Sequence, residues 1–157
     1  GYSDIYAIGK KTYQKEKAIE LGLDEEKIID FTDKDKFPGE ADVYFECSGT
    51  SETLNYAACG LKAGGSIVLV NEADAQLNLF EDSYDRILKK ELTIKGSFSS
   101  HFDHSEDDDW HYIIRRIEQG LDVEPLITHE FDFNDMIKGL ELMRDKSEDY
   151  IKVIGKY

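Results

Sequence analysis

Ser66-Ile67-Val68-Leu69-Val70, entered through Gly64-Gly65, is the stretch that decides the fold. A near-continuous apolar run of this length, bounded by turn residues, predicts a strand buried on both faces, the pattern of a parallel sheet rather than a half-exposed antiparallel one. Immediately before it, residues 51–61 place Leu54, Ala57, Ala58 and Leu61 at helical spacing, so a helix is expected there, ending toward Gly64-Gly65. Before that helix, Ala41-Asp42-Val43-Tyr44-Phe45-Glu46-Cys47 predicts a second strand that breaks at Ser48-Gly49.

The same alternation continues both ways. Upstream, a strand over residues 4–8 ends at Gly9, a helix over 13–21 stops at Gly22, and a short strand covers 27–30. Downstream, Leu77-Asn78-Leu79 reads as a short extended piece, 84–90 as a helix, and Leu92-Thr93-Ile94-Lys95-Gly96-Ser97 as a strand whose apolar and polar residues alternate. The acidic run 103–109 leads into a helix over 110–119, and the tail reads as strand 127–131, helix 134–144 and strand 150–154. Strands alternating with crossover helices predict an α/β fold, a Rossmann-like doubly wound parallel sheet with right-handed connections.

Composition narrows the function classes. Nineteen Lys and Arg against 34 Asp and Glu give a net charge of −15 over 157 residues, which disfavours nucleic acid and anionic membranes as partners. Any phosphate must be held locally. No apolar run approaches the roughly 18 to 20 residues that span a bilayer, and Gly1-Tyr2-Ser3-Asp4 has neither part of a signal peptide, so a cytoplasmic protein is expected. Cys47 and Cys59 make neither a disulfide framework nor a metal site and are expected as buried structural thiols. His101, His104 and His111, among Asp103 and Asp107 to Asp109, match no compact ligand motif; the acids read more simply as the negative first turn of a helix.

Six pieces in order carry a family resemblance: Asp4 to Gly9, Lys17 to Gly22, Ala41 to Gly49, Gly64 to Val70, Glu91 to Gly96, and Pro125-Leu126-Ile127-Thr128-His129. Together they resemble the second half of a zinc-containing medium-chain alcohol or polyol dehydrogenase, with sorbitol and polyol-phosphate dehydrogenases the nearest in character. That family opens with a catalytic domain that supplies the zinc ligands, followed by a strand and a glycine-rich turn. No Gly-x-Gly-x-x-Gly occurs in this sequence. The resemblance therefore implies a fragment, inactive alone: residues 1–124 as a partial dinucleotide-binding domain lacking its first strand, and 125–157 as a return segment packing with the catalytic domain. In the order 3-2-1-4-5-6 the absent strand would separate the strand at 4–8 from that at 41–47.

The implied activity is hydride transfer between a secondary alcohol, a sugar alcohol or its phosphate, and NAD or NADP, with zinc held outside this chain. At the end of the strand at 4–8, the second in that order, where NAD enzymes place a carboxylate for the ribose hydroxyls, stand Gly9, Lys10 and Lys11, with Thr12 beyond. Without that carboxylate and with two cations, NADP is favoured; the plain alternative is a solvated turn with incidental lysines. The resemblance further places the backbone of Cys47, Ser48 and Gly49 on the adenosine side of the cofactor. It sets Leu69, Val70 and Asn71 against the nicotinamide, Ser97 and Ser99 at its carboxamide, and Lys152 near the pyrophosphate. Each position also has an ordinary structural reading as a turn, core or surface residue. No catalytic residue and no metal ligand is expected in this chain. The edge strand 92–97 is expected to pair with its copy in a homodimer or homotetramer. Two other classes remain open: a non-catalytic nucleotide-binding or regulatory module, and a zinc-free quinone or enoyl reductase of the same superfamily.

Overall fold

A computed structural model describes residues 4–33 and 36–157. The chain forms two compact units, one taking in the residues up to 35 together with Phe102–Tyr157, the other Lys36–His101.

The Lys36–His101 unit is a three-stranded parallel sheet of β3 (Ala41–Glu46), β4 (Leu61–Leu69) and β5 (Thr93–Gly96), in the order β3-β4-β5. Helix α2 (Ser51–Gly60) crosses from β3 to β4, and α3 (Glu81–Lys89) leads into β5. Ala57 and Ala58 bring α2 close to the sheet, and with Leu61 and Ile67 they form a fully buried centre lined by Tyr44, Leu54, Ile87 and Leu92. Asn55 ties α2 to the segment before α3: its Nδ2 donates to the Ser51 and Asn78 carbonyls at 2.6 and 2.8 Å, and its Oδ1 accepts from the Phe80 N–H at 2.8 Å. Those bonds hold residues 78–80 without a ladder, so the extended piece expected at 77–79 is a loop and not a strand.

β4 also begins earlier than its apolar run. Gly64-Gly65 does not end the helix but lies inside the strand, where the six residues from Leu61 to Ser66 oppose the three from Ala41 to Val43. Gly64 takes φ +74°, as a bulge of this kind requires.

The other unit contains β1 (Ala7–Gly9) paired in parallel with β2 (Ile28–Asp30) and joined to it through α1 (Thr12–Glu20). It also holds α4 (Asp109–Glu118) and a second parallel pair, β6 (Ile127–Asp132) with β7 (Lys152–Lys156), bridged by α5 (Met136–Asp145). Phe131 and Val153 crowd Gly139 so closely that a Cβ there would stand 2.9 Å from the Phe131 ring, which is how α5 lies against its strands. Within its own sheet each set of strands is parallel, in the order β1-β2 in one unit and β3-β4-β5 in the other. Each of β1 and β3 is paired on one side only within its own sheet. The fold is Rossmann-like α/β with parallel sheets throughout.

Candidate functional site

In a parallel α/β sheet, ligands gather at the carboxyl ends of the strands. In the three-stranded unit those ends are in register: Glu46 pairs with Leu69, and Leu69 with Gly96. The ladder continues one residue further, with Val70 N–H donating to the Glu46 carbonyl at 2.9 Å and Ser97 N–H to the Leu69 carbonyl at 2.8 Å. Cys47 to Gly49, Val70 with Asn71, and Ser97 therefore sit side by side on one edge. Ser99 follows in an exposed loop with φ 55°.

The turn after β3 is built around a buried carboxylate. Glu46, 3% exposed, accepts from the backbone N–H of Ser48 at 2.8 Å, from that of Gly49 at 3.1 Å, and from Thr53 Oγ1 at 2.7 Å. The N-terminus of α2 is capped separately, by Thr50 Oγ1 accepting from Thr53 N–H at 3.3 Å. Gly49 adopts φ +70°, and a Cβ there would stand 2.0 Å from the Glu72 carbonyl oxygen, so only glycine fits. Asp74 N–H donates to the Gly49 carbonyl at 3.1 Å and fixes the loop after β4 against this turn.

Burial, followed by the Glu46 and Cys47 charges, pushes the neighbouring Tyr44 phenol up to about 12. Cys47 departs from the expected buried thiol. The residue is exposed and its Sγ donates to the Phe45 carbonyl at 3.7 Å; partial desolvation first, then the Glu46 charge, push the thiol up. Cys59 is half-buried. The misreading has a simple cause: Cys47 lies just past the last strand residue, where the chain turns out of the sheet.

In the other unit, Gly9 ends β1 opposite Asp30. A Cβ at Gly9 would meet only Gln14 Oε1 at 3.8 Å, so the glycine is not imposed by crowding. The two lysines after it part company. Lys10 Nζ lies 4.7 Å from the centre of the Phe31 ring, a cation–π contact. Lys11 is the N-cap residue of α1 and its Nζ donates to the Tyr13 hydroxyl at 3.4 Å. Asp30 carries the nearest strand-end carboxylate, but it is ion-paired with Lys15 and accepts from Thr32 N–H and Oγ1 at 2.9 and 2.6 Å. The Lys15 contact first, and the Thr32 bonds next, hold it far below the usual carboxylate range.

Lys11, Tyr13 and Gln14 line an open cavity of about 510 Å³ together with Lys146, Tyr150 and Ile151. Lys152 lies exposed in β7, one residue beyond this lining. Neither Lys146 nor Tyr150 carries a local sequence motif; the one signal was a lysine just after a helical pattern, at a place where glycine is usual. Asp108, buried beneath the start of α4, accepts from His111 N–H and Nδ1, both at 2.8 Å. Burial pushes its carboxyl up, yet these bonds outweigh it and the group stays below its ordinary range, the behaviour of an N-cap. Among the described residues no three His, Cys, Asp or Glu side chains are grouped to hold a metal ion, and no helix is long and apolar enough to cross a membrane.

No protein-family model matches the chain. Among curated proteins it is similar to L-threonine 3-dehydrogenase of Vibrio parahaemolyticus, 26% identical over 138 residues, which is 84% of this chain and 38% of that protein. The L-threonine 3-dehydrogenase of Rhizobium rhizogenes is 30% identical over 103 residues, 66% of this chain and 28% of that protein. The chain thus spans well under half the length of these relatives. Among solved structures, 2R,3R-butanediol dehydrogenase of Bacillus subtilis superposes over 100% of this chain and 44% of its own, with a TM-score of 0.79 and 23% identity. An alcohol dehydrogenase of Escherichia coli CFT073 complexed with NADH gives 0.79 at 20% identity, over 99% of this chain and 45% of its own. A protein of Sinorhizobium meliloti 1021 described as a zinc-binding dehydrogenase, bound to NADP, gives 0.76 at 18%, over 100% and 46%. At these identities the likeness to solved structures is one of fold, and it runs along the whole length of this chain.

Proposed function

We propose that this chain is the cofactor-binding part of a zinc-dependent oxidoreductase that transfers hydride between a secondary alcohol and a nicotinamide dinucleotide, NADP in preference to NAD. The observation that carries the reading is the edge where three parallel strands end in register, with Cys47 to Gly49, Val70 with Asn71, and Ser97 adjacent. Likeness to dehydrogenases supports the reaction class. Threonine at C3 and butanediol, in the names of the similar proteins, are both secondary alcohols.

When bound, the nicotinamide accepts or releases the hydride. This chain's part is binding and orientation: the turn at 47–49, made rigid by Glu46, receives the adenosine side, and Leu69, Val70 and Asn71 pack against the ring. Backbone groups at Ser97 and Ser99 hold the carboxamide. Gly9 leaves room for a 2′-phosphate where a carboxylate would repel it, Lys11 supplies a cation, and Lys152 serves the pyrophosphate. Zinc dependence rests on the family resemblance, and the residues of this chain have no part in holding the metal. Residues 125–157 pack with the catalytic domain of the longer enzyme, and a sugar alcohol or its phosphate is the substrate class. The test is a steady-state assay of the full-length protein with a panel of secondary alcohols and both cofactors. Oxidation coupled to NADP reduction and abolished by chelation is the expected result; no turnover of any secondary alcohol with either cofactor overturns the reading.

A further inference from the structure

We infer that Lys146 and Lys11 form a pocket for a phosphate monoester, and that Lys146 is a further specificity-determining residue, beside Gly9 and Lys11, for the 2′-phosphate of the dinucleotide. This rests on the cofactor reading above and extends it to a residue that arrives from the end of α5.

Four observations converge. First, the cavity of about 510 Å³ beside the N-terminus of α1 is lined by both lysines together with Tyr13, Gln14, Tyr150 and Ile151. Second, Lys146 is free of ion pairs and hydrogen bonds among the described residues, in a chain of net charge −15 where most of the neighbouring cations are engaged. Lys15 is held by Asp30, Lys10 lies on Phe31, Arg144 is paired with Asp145 at 2.7 Å, and Lys138 with Asp135 at 2.9 Å. Third, three acids near the pocket are engaged elsewhere, while Asp149 stands exposed beside Tyr150. Asp30 is bound by Lys15 and Thr32, Asp145 by Arg144, and Glu148 by His129 Nε2 at 3.3 Å. The first turn of α1 carries no acidic side chain, and no side chain caps it.

Fourth, Lys146 sits in the left-handed region, φ 48° and ψ 41°, as the residue that ends α5. Glycine or asparagine is favoured there, since a larger side chain carries a steric cost. A lysine held at such a position against backbone preference points to a use for its side chain. A doubly charged phosphate monoester gains from two cations brought together from distant parts of the chain, whereas a ribose hydroxyl gains little from either.

The test is calorimetric titration of the full-length protein with NADPH, NADH and 2′-AMP, for the wild type, Lys146→Gly and Lys146→Arg, with a thermal melt of each. Glycine accepts the backbone conformation, so the melting temperature of Lys146→Gly should equal or exceed that of the wild type. Its affinity for NADPH and 2′-AMP should fall roughly tenfold, with NADH unchanged and Lys146→Arg close to wild type. Equal effects on NADPH and NADH, or no effect on either, overturn the inference and leave the dehydrogenase reading standing. Binding of 2′-AMP that depends on Lys146, with neither dinucleotide bound, keeps the pocket and removes the dehydrogenase reading. No binding of any of the three removes both.

Discussion

Glu46 and Gly49 lock each other in place: the buried carboxylate accepts the Gly49 N–H through both its oxygens at 3.1 Å, while Gly49 holds the φ of +70° that lets the Glu72 backbone pass over it. A carboxylate here satisfies donors that would otherwise be buried at a strand-to-helix turn, which makes the turn rigid before any ligand arrives. Replacing Glu46 with Leu leaves the Ser48 and Gly49 N–H groups short of an acceptor, while the Thr53 hydroxyl keeps the Thr50 carbonyl, and should lower unfolding free energy by about 3 kcal/mol. Gly49→Ala should be at least as damaging, because its new methyl group would collide with backbone rather than a movable side chain. Urea unfolding followed by circular dichroism measures both; loss of less than about 1 kcal/mol in both variants would contradict the locked turn.

Asp30 gives the first unit a defined acid response. Its folded carboxyl is held well below the ordinary value by Lys15 and Thr32, so the stabilising contribution is complete above the unfolded value of about 3.9 and is lost as pH falls toward the lower folded one. Lys15→Ala removes the largest cause, and the Asp30 titration should move up toward the ordinary range. Carbon-detected NMR titration of the Asp30 carboxyl in both proteins reads this directly; the same titration point in both would mean that Lys15 does not hold it.

The edge of the three-stranded sheet predicts self-association. Every residue of β5 is exposed, including Ile94, and its outer side has no partner in the sheet. An apolar edge of this kind is ordinarily paired or blocked by charge. A dimer through residues 92–97 is therefore expected in the full-length protein, and Ile94→Lys should shift it toward monomer in sedimentation velocity. A wild-type monomer, or a dimer indifferent to Ile94→Lys, would rule this interface out.

The order and type of nearly every element were legible because a parallel α/β chain writes its strands as short apolar runs and its helices as spaced ones. Limits blurred where glycine has two meanings. Gly64-Gly65 reads equally as a helix stop or a strand bulge, and only the pairing of β4 with β3 decides. Residues 77–79 look extended but are held by Asn55, a contact that no local pattern announces. At the candidate site, Gly9 and Lys11 could be singled out from their place after a strand. That Lys10 turns onto Phe31 while Lys11 joins the cavity could not, because that depends on where Phe31 packs. That Lys146 and Tyr150 meet α1 could not be read for the same reason: the fold brings them there from far along the chain.

The central claim is that Gly9 and the cations beside it select a phosphorylated dinucleotide. Gly9→Asp is sterically permitted, since a Cβ there meets only Gln14 Oε1 at 3.8 Å, so the variant changes charge without disturbing the strand. The decisive measurement is titration of the full-length wild type and Gly9→Asp with NADPH and NADH, followed by the fluorescence of the reduced nicotinamide. The wild type should bind NADPH roughly tenfold more tightly, as one charge-assisted contact to the 2′-phosphate would give, and Gly9→Asp should reverse the order. Equal or tighter binding of NADH by the wild type, or no change of preference in Gly9→Asp, would contradict it.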